Sequence, residues 1–286
     1  MNYRHAYHAG NFADVVKHAA LSRLVEYLKL KDKAFRVVDT HAGTGLYDLS
    51  SEEAQKTGEW QGGIGRLLDA ELSLEADALL SPYLAAVKAA NPESGVKQYP
   101  GSPLIVRHLM RPQDRLSAIE LHPKDFQRLK ARFAGDFQVR TIELDGWLAL
   151  GAHLPPKEKR GLVLIDPPYE AQEAEYRVIE KALKAALERW PTGVYAVWYP
   201  IKLRSQVQPF HRWLQHCSAR RVLRAELLVH PDDSPLRLNG SGMVILNAPW
   251  KLDEALRDSL RVMAPMLSQE RPAQWRLDWL VEDSAS

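Results

Sequence analysis

The chain has 286 residues, 45% of them hydrophobic and 26% charged, so it can bury one large α/β core or one core with an insertion. Its formal net charge of +2 neither requires nor excludes a nucleic-acid partner. Its single cysteine excludes an intrachain disulfide and a cysteine-rich zinc site. The sequence has no apolar run of about 18 residues, so no membrane-spanning helix is predicted. Because the N-terminus also lacks the apolar core of a signal peptide, we expect a cytoplasmic protein with no membrane partner.

The stretch from Tyr3 to His18 is crowded with histidine, tyrosine and basic side chains. Such an arm suits contact with nucleic acid, because tyrosine rings stack on bases while arginine and lysine meet phosphates. Tyr3, Arg4 and Lys17 are therefore candidate nucleic-acid contacts; the alternative is a disordered tail. The histidines are not accompanied by cysteines or a clear carboxylate ligand pattern, so no metal site is expected. All predicted strands lie downstream, so removal of residues 1–8 is expected to leave the fold intact.

Residues 11–30 carry apolar side chains at helical spacing and predict a helix, for which Asn11 is a candidate N-cap. A strand is predicted over residues 35–39, and the loop Thr40-His41-Ala42-Gly43-Thr44-Gly45 follows it. Glycines at alternate positions let the backbone approach a ligand closely, so Gly43 is a candidate cofactor contact. Asp39 could orient this loop or bind an amine of the ligand. The dinucleotide fingerprint is absent, because Asp48 stands where its third glycine would be.

The spacing after this loop is unusual for a nucleotide-binding fold. An acidic strand end normally follows the glycine turn by about 20 positions, yet the next one is Glu120, so roughly fifty residues are inserted. Residues 50–98, with helical segments near 65–74 and 76–90, are therefore predicted to form a small helical subdomain above the active-site edge. The alternative is a longer first crossover. Residues 1–49 and 99–286 would form the main α/β domain with its N-terminal arm.

Strands and helices alternate along the rest of the chain. Strands are predicted at residues 116–121, 138–142, 161–165, 194–198, 222–229 and 243–247, and helices at 124–133, 171–189, 203–217 and 252–267. This alternation predicts a parallel sheet with helices on both faces. The last two strands are separated mainly by the loop 230–242, which has no room for a packed crossover helix, so we expect them to pair antiparallel. The result is a mostly parallel, seven-stranded sheet with an antiparallel strand near its C-terminal end.

Asp166-Pro167-Pro168-Tyr169 follows the strand at 161–165 and is the most informative motif of the chain. Its two prolines remove two backbone N–H donors and stop the strand. The Asp166 carboxylate and the free carbonyls are then held stiffly at the carboxyl edge of the sheet, where open α/β folds bind ligands. An amino group could donate one hydrogen to Asp166 and another to the Pro167 carbonyl, while its ring stacks on Tyr169. This geometry suits chemistry on the exocyclic amine of a nucleobase; the alternative is a strand-to-loop turn with a capping aspartate.

Acidic residues follow two more strands. Glu120 is placed to bind the ribose hydroxyls of a nucleotide cofactor, although a capping role before His122 is nearly as compatible. Asp145, which precedes Gly146, could accept from an adenine amine, although Asp-Gly is also a common turn. The basic residues between these two acids are interpreted as solvated helix faces, with phosphate binding as the minority interpretation. They are Lys124, Arg128, Lys130 and Arg132.

The glycine loop and the D-P-P-Y motif together resemble motifs I and IV of the S-adenosylmethionine-dependent amino-methyltransferases, which have the Rossmann-like class I fold. A larger set of motifs, spread over nearly the whole chain, resembles the RlmJ family of 23S ribosomal RNA adenine-N6 methyltransferases. The matching residues are Tyr3-Arg4-His5, His8-Ala9-Gly10-Asn11, Ala13-Asp14-Val15, Lys17-His18, Asp39-Thr40-His41-Ala42-Gly43, Gly58-Glu59, Gly101-Ser102-Pro103, Glu120-Leu121-His122-Pro123, Asp145-Gly146 and Asp166-Pro167-Pro168-Tyr169.

The resemblance implies a function, a cofactor and a set of site residues. The function is methylation of the N6 amine of an adenine in 23S rRNA, adenine 2030 in this family, with S-adenosylmethionine as methyl donor and no metal. Catalytic roles are expected for Asp166, Pro167 and Tyr169, and Tyr3 meets the RNA. His41 stands where many amino-methyltransferases carry phenylalanine, so their pattern for that pocket does not transfer. The implied cofactor contacts are His18, His41, Ser102, Glu120, Asp145, Gly146 and Asp166.

The expected partner is 23S rRNA, free or in an early assembly intermediate, and the protein is expected to be a monomer. A DNA adenine-N6 methyltransferase would share these motifs, and methyl transfer to duplex DNA against deproteinised 23S RNA distinguishes the two. A nicotinamide dehydrogenase is disfavoured by the missing third glycine, and a cofactor thermal-shift comparison tests it. A non-catalytic RNA-binding protein would not need the D-P-P-Y motif, and radiolabelled methyl transfer tests that alternative.

Overall fold

The part of the chain that the structure describes contains ten strands, ten α-helices and two short 3-10 helices, His5–Tyr7 and Glu59–Gly62. The structure is a computed structural model that describes residues 4–93, 95–169 and 172–282. The strands are β1 (Arg36–Asp39), β2 (Leu46–Asp48), β3 (Gln98–Pro100), β4 (Arg115–Glu120), β5 (Val139–Glu143), β6 (Gly161–Ile165), β7 (Val194–Ile201), β8 (Val222–Leu228), β9 (Gly240–Leu246) and β10 (Gln274–Val281). The helices are α1 (Phe12–Lys29), α2 (Glu52–Thr57), α3 (Ile64–Asp69), α4 (Leu74–Ala90), α5 (Ser102–Leu109), α6 (Pro123–Arg132), α7 (Gly146–Ala152), α8 (Gln172–Arg189), α9 (Arg204–Leu214) and α10 (Leu252–Leu267).

Eight of the strands form one sheet in the order β5-β4-β1-β6-β7-β9-β8-β10. β5, β4, β1, β6 and β7 run parallel to one another, and Arg36 at the start of β1 is paired with both Arg115 and Gly161. β9 lies antiparallel between β7 and β8, and β10 lies antiparallel beside β8. Because the parallel strands all end at one edge, β1, β4 and β6 present their last residues side by side at the position where ligands bind in such sheets.

This architecture confirms the predicted α/β class, a Rossmann-like and mostly parallel sheet with an antiparallel strand near its C-terminal end. The antiparallel pairing of the last two predicted strands is also confirmed, with Val222 opposite Leu246. The sheet has eight strands and not seven, because β10 adds an outer strand. Its alternating pattern, in which charged residues separate Trp275, Leu277 and Trp279, is typical of a strand, and the sequence-based prediction overlooked it.

α1 is buried on almost all sides and carries two site residues in its first turns. It begins after Asn11, whose side chain accepts a hydrogen bond from the Asp14 backbone N–H at 2.9 Å, which confirms both the predicted helix and its cap. α1 packs against β9 and against α4, α5 and α10, and a helix with so little exposed surface belongs to the core. Lys17 and His18 therefore approach the ligand edge of the sheet from inside the protein.

Residues 50–98 contain the two predicted helical segments, as α3 and α4, and a further short helix, α2, that was not predicted. β2 and β3 pair antiparallel and bring the two ends of this segment together, with Asp48 opposite Gln98. α4 packs on α1, α5 and α10, and its Leu80 and Tyr83 belong to the same hydrophobic cluster as Leu21 of α1. The segment thus shares a core with the main sheet, and its treatment as a separate subdomain stays a prediction.

The remaining helices cover both faces of the sheet, as the alternation of strands and helices predicted. One hydrophobic cluster includes side chains of α1, α5 and α10, and a second includes side chains of α7, α8 and α9. No helix within the described ranges is both long and apolar enough to cross a membrane. Packing on both faces fixes the strands, and with them the side chains at the strand ends.

Candidate active site at the carboxyl ends of the strands

A cleft of about 840 Å³ opens where β1, β4 and β6 end, and its volume lies within the range of ligand pockets. Most of the predicted site residues line it: Arg4, Lys17, His18, His41, Gly43, Ser102, Glu120, Asp145, Gly146, Asp166 and Pro167. Asp39 and Tyr169 are not among the described residues of the lining, and Tyr3 lies outside the described residues. The structure thus brings together residues that are far apart in the sequence.

The glycine loop after β1 forms one wall of the cleft. Gly43 and Gly45 adopt φ values of +60° and +80°, a left-handed backbone that glycine adopts without strain. A Cβ at Gly43 would lie 2.2 Å from the Tyr47 hydroxyl, so a side chain has no room there. The Gly43 N–H donates to Glu120 Oε2 at 2.9 Å and ties the loop to the end of β4. The loop therefore presents bare backbone to the cleft.

Glu120 joins two backbone segments and still faces the cleft. Its Oε1 accepts from the His122 N–H at 2.7 Å, while its Oε2 accepts from Gly43. Burial raises the pKa of Glu120, and the two backbone hydrogen bonds oppose that rise. A carboxylate has about four lone-pair sites, so each oxygen can accept one more hydrogen bond. The backbone-capping role and the ribose-binding role are compatible with each other.

Asp39 lies fully buried beneath the cleft and positions two residues of its lining. Its carboxylate accepts from Ser102 Oγ at 2.7 Å and from the His41 N–H at 3.4 Å. Burial raises the pKa of Asp39 to about 7, although the Ser102 hydrogen bond opposes the rise. Of the two roles considered for Asp39, its position favours orientation of the loop over direct contact with a ligand amine.

His41, Gly146 and Asp145 form the wall between β1 and α7. The His41 ring packs edge-on against Trp147 at 5.0 Å, and burial lowers the pKa of His41 to about 3, so the ring is neutral. Gly146 packs against the Thr40 carbonyl, which a Cβ would approach to 2.3 Å. Asp145 accepts from the Trp147 N–H at 2.7 Å and caps α7. Asp145 thus has the capping role typical of an Asp-Gly turn, while it also lines the cleft.

Asp166 directly follows β6, lines the cleft and pairs with Lys17 of α1. The Lys17 ammonium donates to Asp166 Oδ2 at 2.5 Å and lies 2.8 Å from Asp14 Oδ1. The Lys17 side chain is only 4% exposed and that of Asp166 16%. Burial opposes the charge on Lys17, but the two carboxylates outweigh burial and raise the pKa of Lys17. This pairing argues against the predicted contact of Lys17 with RNA phosphates, because two carboxylates enclose its ammonium.

Asp14 connects Lys17 to the N-terminal segment. Its Oδ2 accepts from the Gly10 N–H at 2.9 Å and lies 2.9 Å from His5 Nε2. Burial acts to raise the pKa of Asp14, but His5 and Lys17 outweigh burial and hold that pKa well below its usual range. A chain of polar contacts, His5–Asp14–Lys17–Asp166, therefore joins the start of the protein to the cleft. Sequence reasoning missed this network, although the three-residue spacing of Asp14 and Lys17 on one helix was a usable signal.

His18 follows Lys17 and faces a pair of buried tyrosines. Its Nδ1 lies 2.7 Å from the Tyr99 hydroxyl, which in turn lies 3.0 Å from the Tyr83 hydroxyl. Burial and the nearby Lys17 charge lower the pKa of His18 to about 3. His18 is therefore a neutral hydrogen-bonding group in the wall of the cleft. Neither tyrosine was predicted to belong to the site.

The Tyr169 side chain packs away from the position that its motif predicted, which was a stack on the ring of the substrate amine. Its hydroxyl donates to the Trp198 carbonyl at 2.6 Å, and its ring packs against Trp198 and Tyr176 at 5.6 and 5.7 Å. These contacts hold the ring against β7 and α8, so this arrangement does not present its face to the cleft. Pro167 and Pro168 line the cleft in its place. The prolines fix the backbone direction, but they leave the side chain of the next residue free to pack elsewhere.

Arg4, a predicted RNA contact in the N-terminal arm, lines the cleft, as do the next two residues, His5 and Ala6. Its guanidinium lies 3.9 Å from Glu53 Oε1, and both side chains are partly exposed. The following residues dock on the segment around α2, where His8 Nδ1 lies 3.0 Å from Glu59 and Thr57 donates to the Tyr7 carbonyl at 2.5 Å. The arm from Arg4 onward is thus a packed part of the fold.

The strand order, with an antiparallel strand beside β7 and the cleft at the ends of β1 and β4, defines a class I methyltransferase. This class uses S-adenosylmethionine as its methyl donor. The bare backbone at Gly43 and the unused lone pairs of Glu120 fit a ribose-bearing cofactor. Within the described ranges no group of three or more His, Cys, Asp or Glu residues could hold a metal ion.

Comparison with known proteins identifies the family within this class. A family model described as RsmJ, Ribosomal RNA large subunit methyltransferase D, RlmJ, matches residues 32–281, and the chain belongs to this family. The chain is 42% identical to Ribosomal RNA large subunit methyltransferase J of Haemophilus influenzae over 99% of its own length and 100% of the relative's. It is 40% identical to the protein of the same name in Escherichia coli, with the same coverage. A crystal structure of a Legionella pneumophila protein superposes with a TM-score of 0.85 at 34% identity, covering 95% of this chain and 98% of that one.

Proposed function

We propose that this protein methylates the N6 amine of an adenine in 23S rRNA, and that the adenine is the one at position 2030. The observation that carries the proposal is the position of Asp166 and Pro167 at the end of the buried strand β6, in the wall of the cleft that also contains Gly43 and Glu120. The relatives named Ribosomal RNA large subunit methyltransferase J support ribosomal RNA of the large subunit as the substrate class.

The chemistry requires a poor nucleophile to be held in one orientation. The lone pair of an adenine N6 amine is delocalised into the ring, so hydrogen bonds that favour a pyramidal nitrogen help it to react. S-adenosylmethionine supplies the methyl group. Asp166 and the Pro167 carbonyl accept the two amine hydrogens, and positioning of this kind contributes roughly 7–11 kcal/mol to lowering a barrier. Lys17 already donates to Asp166 Oδ2, so we assign the amine hydrogen to Oδ1, which accepts no hydrogen bond from a described residue.

The substrate must reach a recessed carboxylate. A base within a duplex cannot do so, and the target adenine is therefore unpaired or extruded from its stack. The N6 proton becomes acidic only as the methyl group transfers, so Asp166 accepts it without having to be a strong base. We further propose that the enzyme acts as a monomer, in the cytoplasm, on 23S rRNA that is free or in an early assembly intermediate.

The test is methyl transfer from tritiated S-adenosylmethionine to unmodified, transcribed 23S rRNA, followed by nucleoside analysis. We expect the label in N6-methyladenosine. We expect this label to be lost when the transcript carries uridine in place of adenine 2030. Label in another nucleoside, or faster labelling of duplex DNA than of the rRNA, would overturn the proposal. Parallel reactions with assembled large subunits establish whether free RNA is the preferred substrate.

A further inference from the structure

α6 carries three basic residues along the wall of the cleft, Lys124, Arg128 and Arg132, which we call the α6 stripe. We propose that the α6 stripe binds the phosphates of the RNA nucleotides that flank the target adenine. The proposal rests on the proposed function for the identity of the ligand. It assigns the phosphate contacts to a helix whose basic residues, from the sequence alone, are interpreted as a solvated face.

The spacing of the stripe places all three cations on one side of α6. Successive members are four residues apart, and residues at this spacing lie one above the other on a helix. α6 buries Phe126 and Leu129 on its inner side, which fixes its rotation against the sheet. Lys130 is exposed on the same helix but does not line the cleft. The stripe is therefore one face of the cleft and not an even distribution of charge around the helix.

No carboxylate of the described residues neutralises the three cations of the stripe. Among the described residues, no carboxylate oxygen lies within 4.0 Å of a side-chain nitrogen of the stripe. Asp125, the acid within the same helix, lies 3.6 Å from His122 Nδ1. All three side chains are exposed. Exposed cations without an ion-pair partner can bind phosphate directly, because no internal ion pair has to be broken first.

The charge of the remaining cleft lining is unfavourable for phosphates, so RNA binding needs a localised group of cations. Among the described lining residues of the cleft, the acidic side chains outnumber the basic ones, so on average they repel an RNA backbone. The acids are Asp48, Glu53, Glu120, Asp125, Asp145, Asp166 and Glu175, and the bases are Arg4, Lys17 and the α6 stripe. Lys17 is held by two carboxylates and Arg4 lies 3.9 Å from Glu53. The stripe therefore supplies most of the cationic charge that a phosphate can meet.

The experiment compares each stripe residue with Lys130. The variants are Lys124→Ala, Arg128→Ala, Arg132→Ala, their triple combination, and Lys130→Ala as the matched control. The affinity for a fluorescent 23S rRNA fragment containing the target adenine is measured by anisotropy across a series of salt concentrations. Each phosphate contact contributes about 0.7–0.9 to the slope of log K against log salt. We expect each single variant to weaken binding roughly fivefold at 0.1 M salt and to lower the slope by about 0.7–0.9, whereas Lys130→Ala leaves both unchanged.

The triple variant decides the proposal. We expect its slope to fall by about 2–3, its KM for RNA to rise, and its kcat and its affinity for S-adenosylmethionine to stay within about twofold of wild type. A triple variant with the same salt slope as Lys130→Ala would show that the stripe is a solvated face, and a selective loss of cofactor affinity would show that it binds the cofactor. Both outcomes overturn the proposal, as does a wild-type protein that fails to bind the fragment.

The binding measurement does not depend on methyl transfer, so failure of the two proposals can be told apart. A reduced salt slope without any N6-methyladenosine formation would leave the stripe as an RNA contact and remove the proposed reaction. Normal N6-methyladenosine formation with an unchanged salt slope in the triple variant would support the proposed reaction and remove the stripe as an RNA contact. All substituted side chains are exposed, so the melting temperature of each variant, measured alongside, is expected to match that of the wild type.

Discussion

The contact between Lys17 and Asp166 sets the local electrostatics of the candidate reaction. A buried ammonium next to the amine acceptor keeps a positive charge close to the place where a proton is released. Asp14 shares that ammonium and has the Gly10 N–H and His5 as further partners. An arrangement of this kind holds Asp166 in one orientation before a substrate arrives, which lowers the cost of ordering it during the reaction.

Asp166→Ala is expected to reduce methyl transfer by at least about 10²–10⁴-fold, because it removes an acceptor that touches the reacting amine. Cofactor affinity should fall only moderately, since most of the proposed cofactor contacts come from other strand ends. Single-turnover transfer and calorimetry with S-adenosylmethionine measure the two effects separately. A variant that turns over at the wild-type rate would remove Asp166 from the mechanism.

Glu120→Ala is expected to show the reverse pattern. It removes charge-assisted hydrogen bonds to a ribose, so cofactor binding should weaken by about 1.5–3 kcal/mol, which is roughly a ten- to 150-fold rise in Kd. Calorimetry provides the Kd, and Glu143→Ala is the matched control, because Glu143 is the neighbouring strand-end acid and does not line the cleft. An unchanged Kd would leave Glu120 with only its two backbone contacts.

At the scale of elements, the N-terminal segment is the clearest difference between expectation and structure. An arm that precedes every strand was expected to be dispensable for folding. His5 instead contacts the buried Asp14, and the Gly10 carbonyl accepts from the Ile64 N–H at 2.8 Å. At Gly63 a Cβ would lie 2.2 Å from that same carbonyl, so the two backbones pack directly against each other. The segment is a structural part of the fold.

Removal of residues 1–8 is therefore expected to lower the free energy of unfolding by about 1–3 kcal/mol, because the buried Asp14 loses its His5 contact, although it keeps the Gly10 N–H and Lys17. Urea unfolding of the truncated and full-length proteins measures this loss. Arg4→Ala is the control, because its partly exposed ion pair at 3.9 Å should be worth less than about 1 kcal/mol. Identical unfolding curves for the truncated and full-length proteins would restore the original expectation.

The elements that the sequence could predict are those with a complete local pattern. α10 was predicted with the bounds that it has, and the antiparallel end of the sheet followed from the short loop before β9. The sequence-based prediction missed α2, α5, α7 and the β2–β3 pair, because each is too short to show a clear periodicity. Strand-end acids were predictable because the fold itself brings strand ends together. The partner of Lys17 and the direction of Tyr169 were not, since both depend on packing between distant segments.

At the scale of the whole molecule, buried titratable groups make stability depend on pH. The pKa values of His18 and His41 are lowered to about 3, chiefly by burial. An unfolded histidine titrates near about 6.5, so below that pH the unfolded state binds protons that the folded state does not bind. Stability is then fully present above about pH 6.5 and is lost as the pH falls towards 3. Asp39 acts in the opposite direction, because its pKa is raised to about 7 and its contribution is lost as the pH rises towards that value.

His41→Phe is expected to flatten this dependence while keeping a ring against Trp147. Between about pH 4.5 and 6.5 the free energy of unfolding of the wild type should change more steeply than that of the variant, by up to about 1.4 kcal/mol per pH unit. Urea unfolding at several pH values measures both slopes. His216→Phe, at an exposed position, is the control. Equal slopes for His41→Phe and wild type would mean that the His41 ring is protonated as easily in the folded protein as in the unfolded chain.

The ion pair between Lys17 and Asp166 also has a consequence for the order of events during synthesis. The two residues are separated by 149 positions, and a ribosome that adds about 5–20 residues per second takes roughly 7–30 s to make that stretch. Throughout that interval Asp14, three residues before Lys17, is the carboxylate of the Lys17 pair that has already been made. The ligand edge of the sheet can close only after β6 has emerged and inserted beside β1, so a nascent chain that ends before β6 has the sequence of the first helix but no competent site.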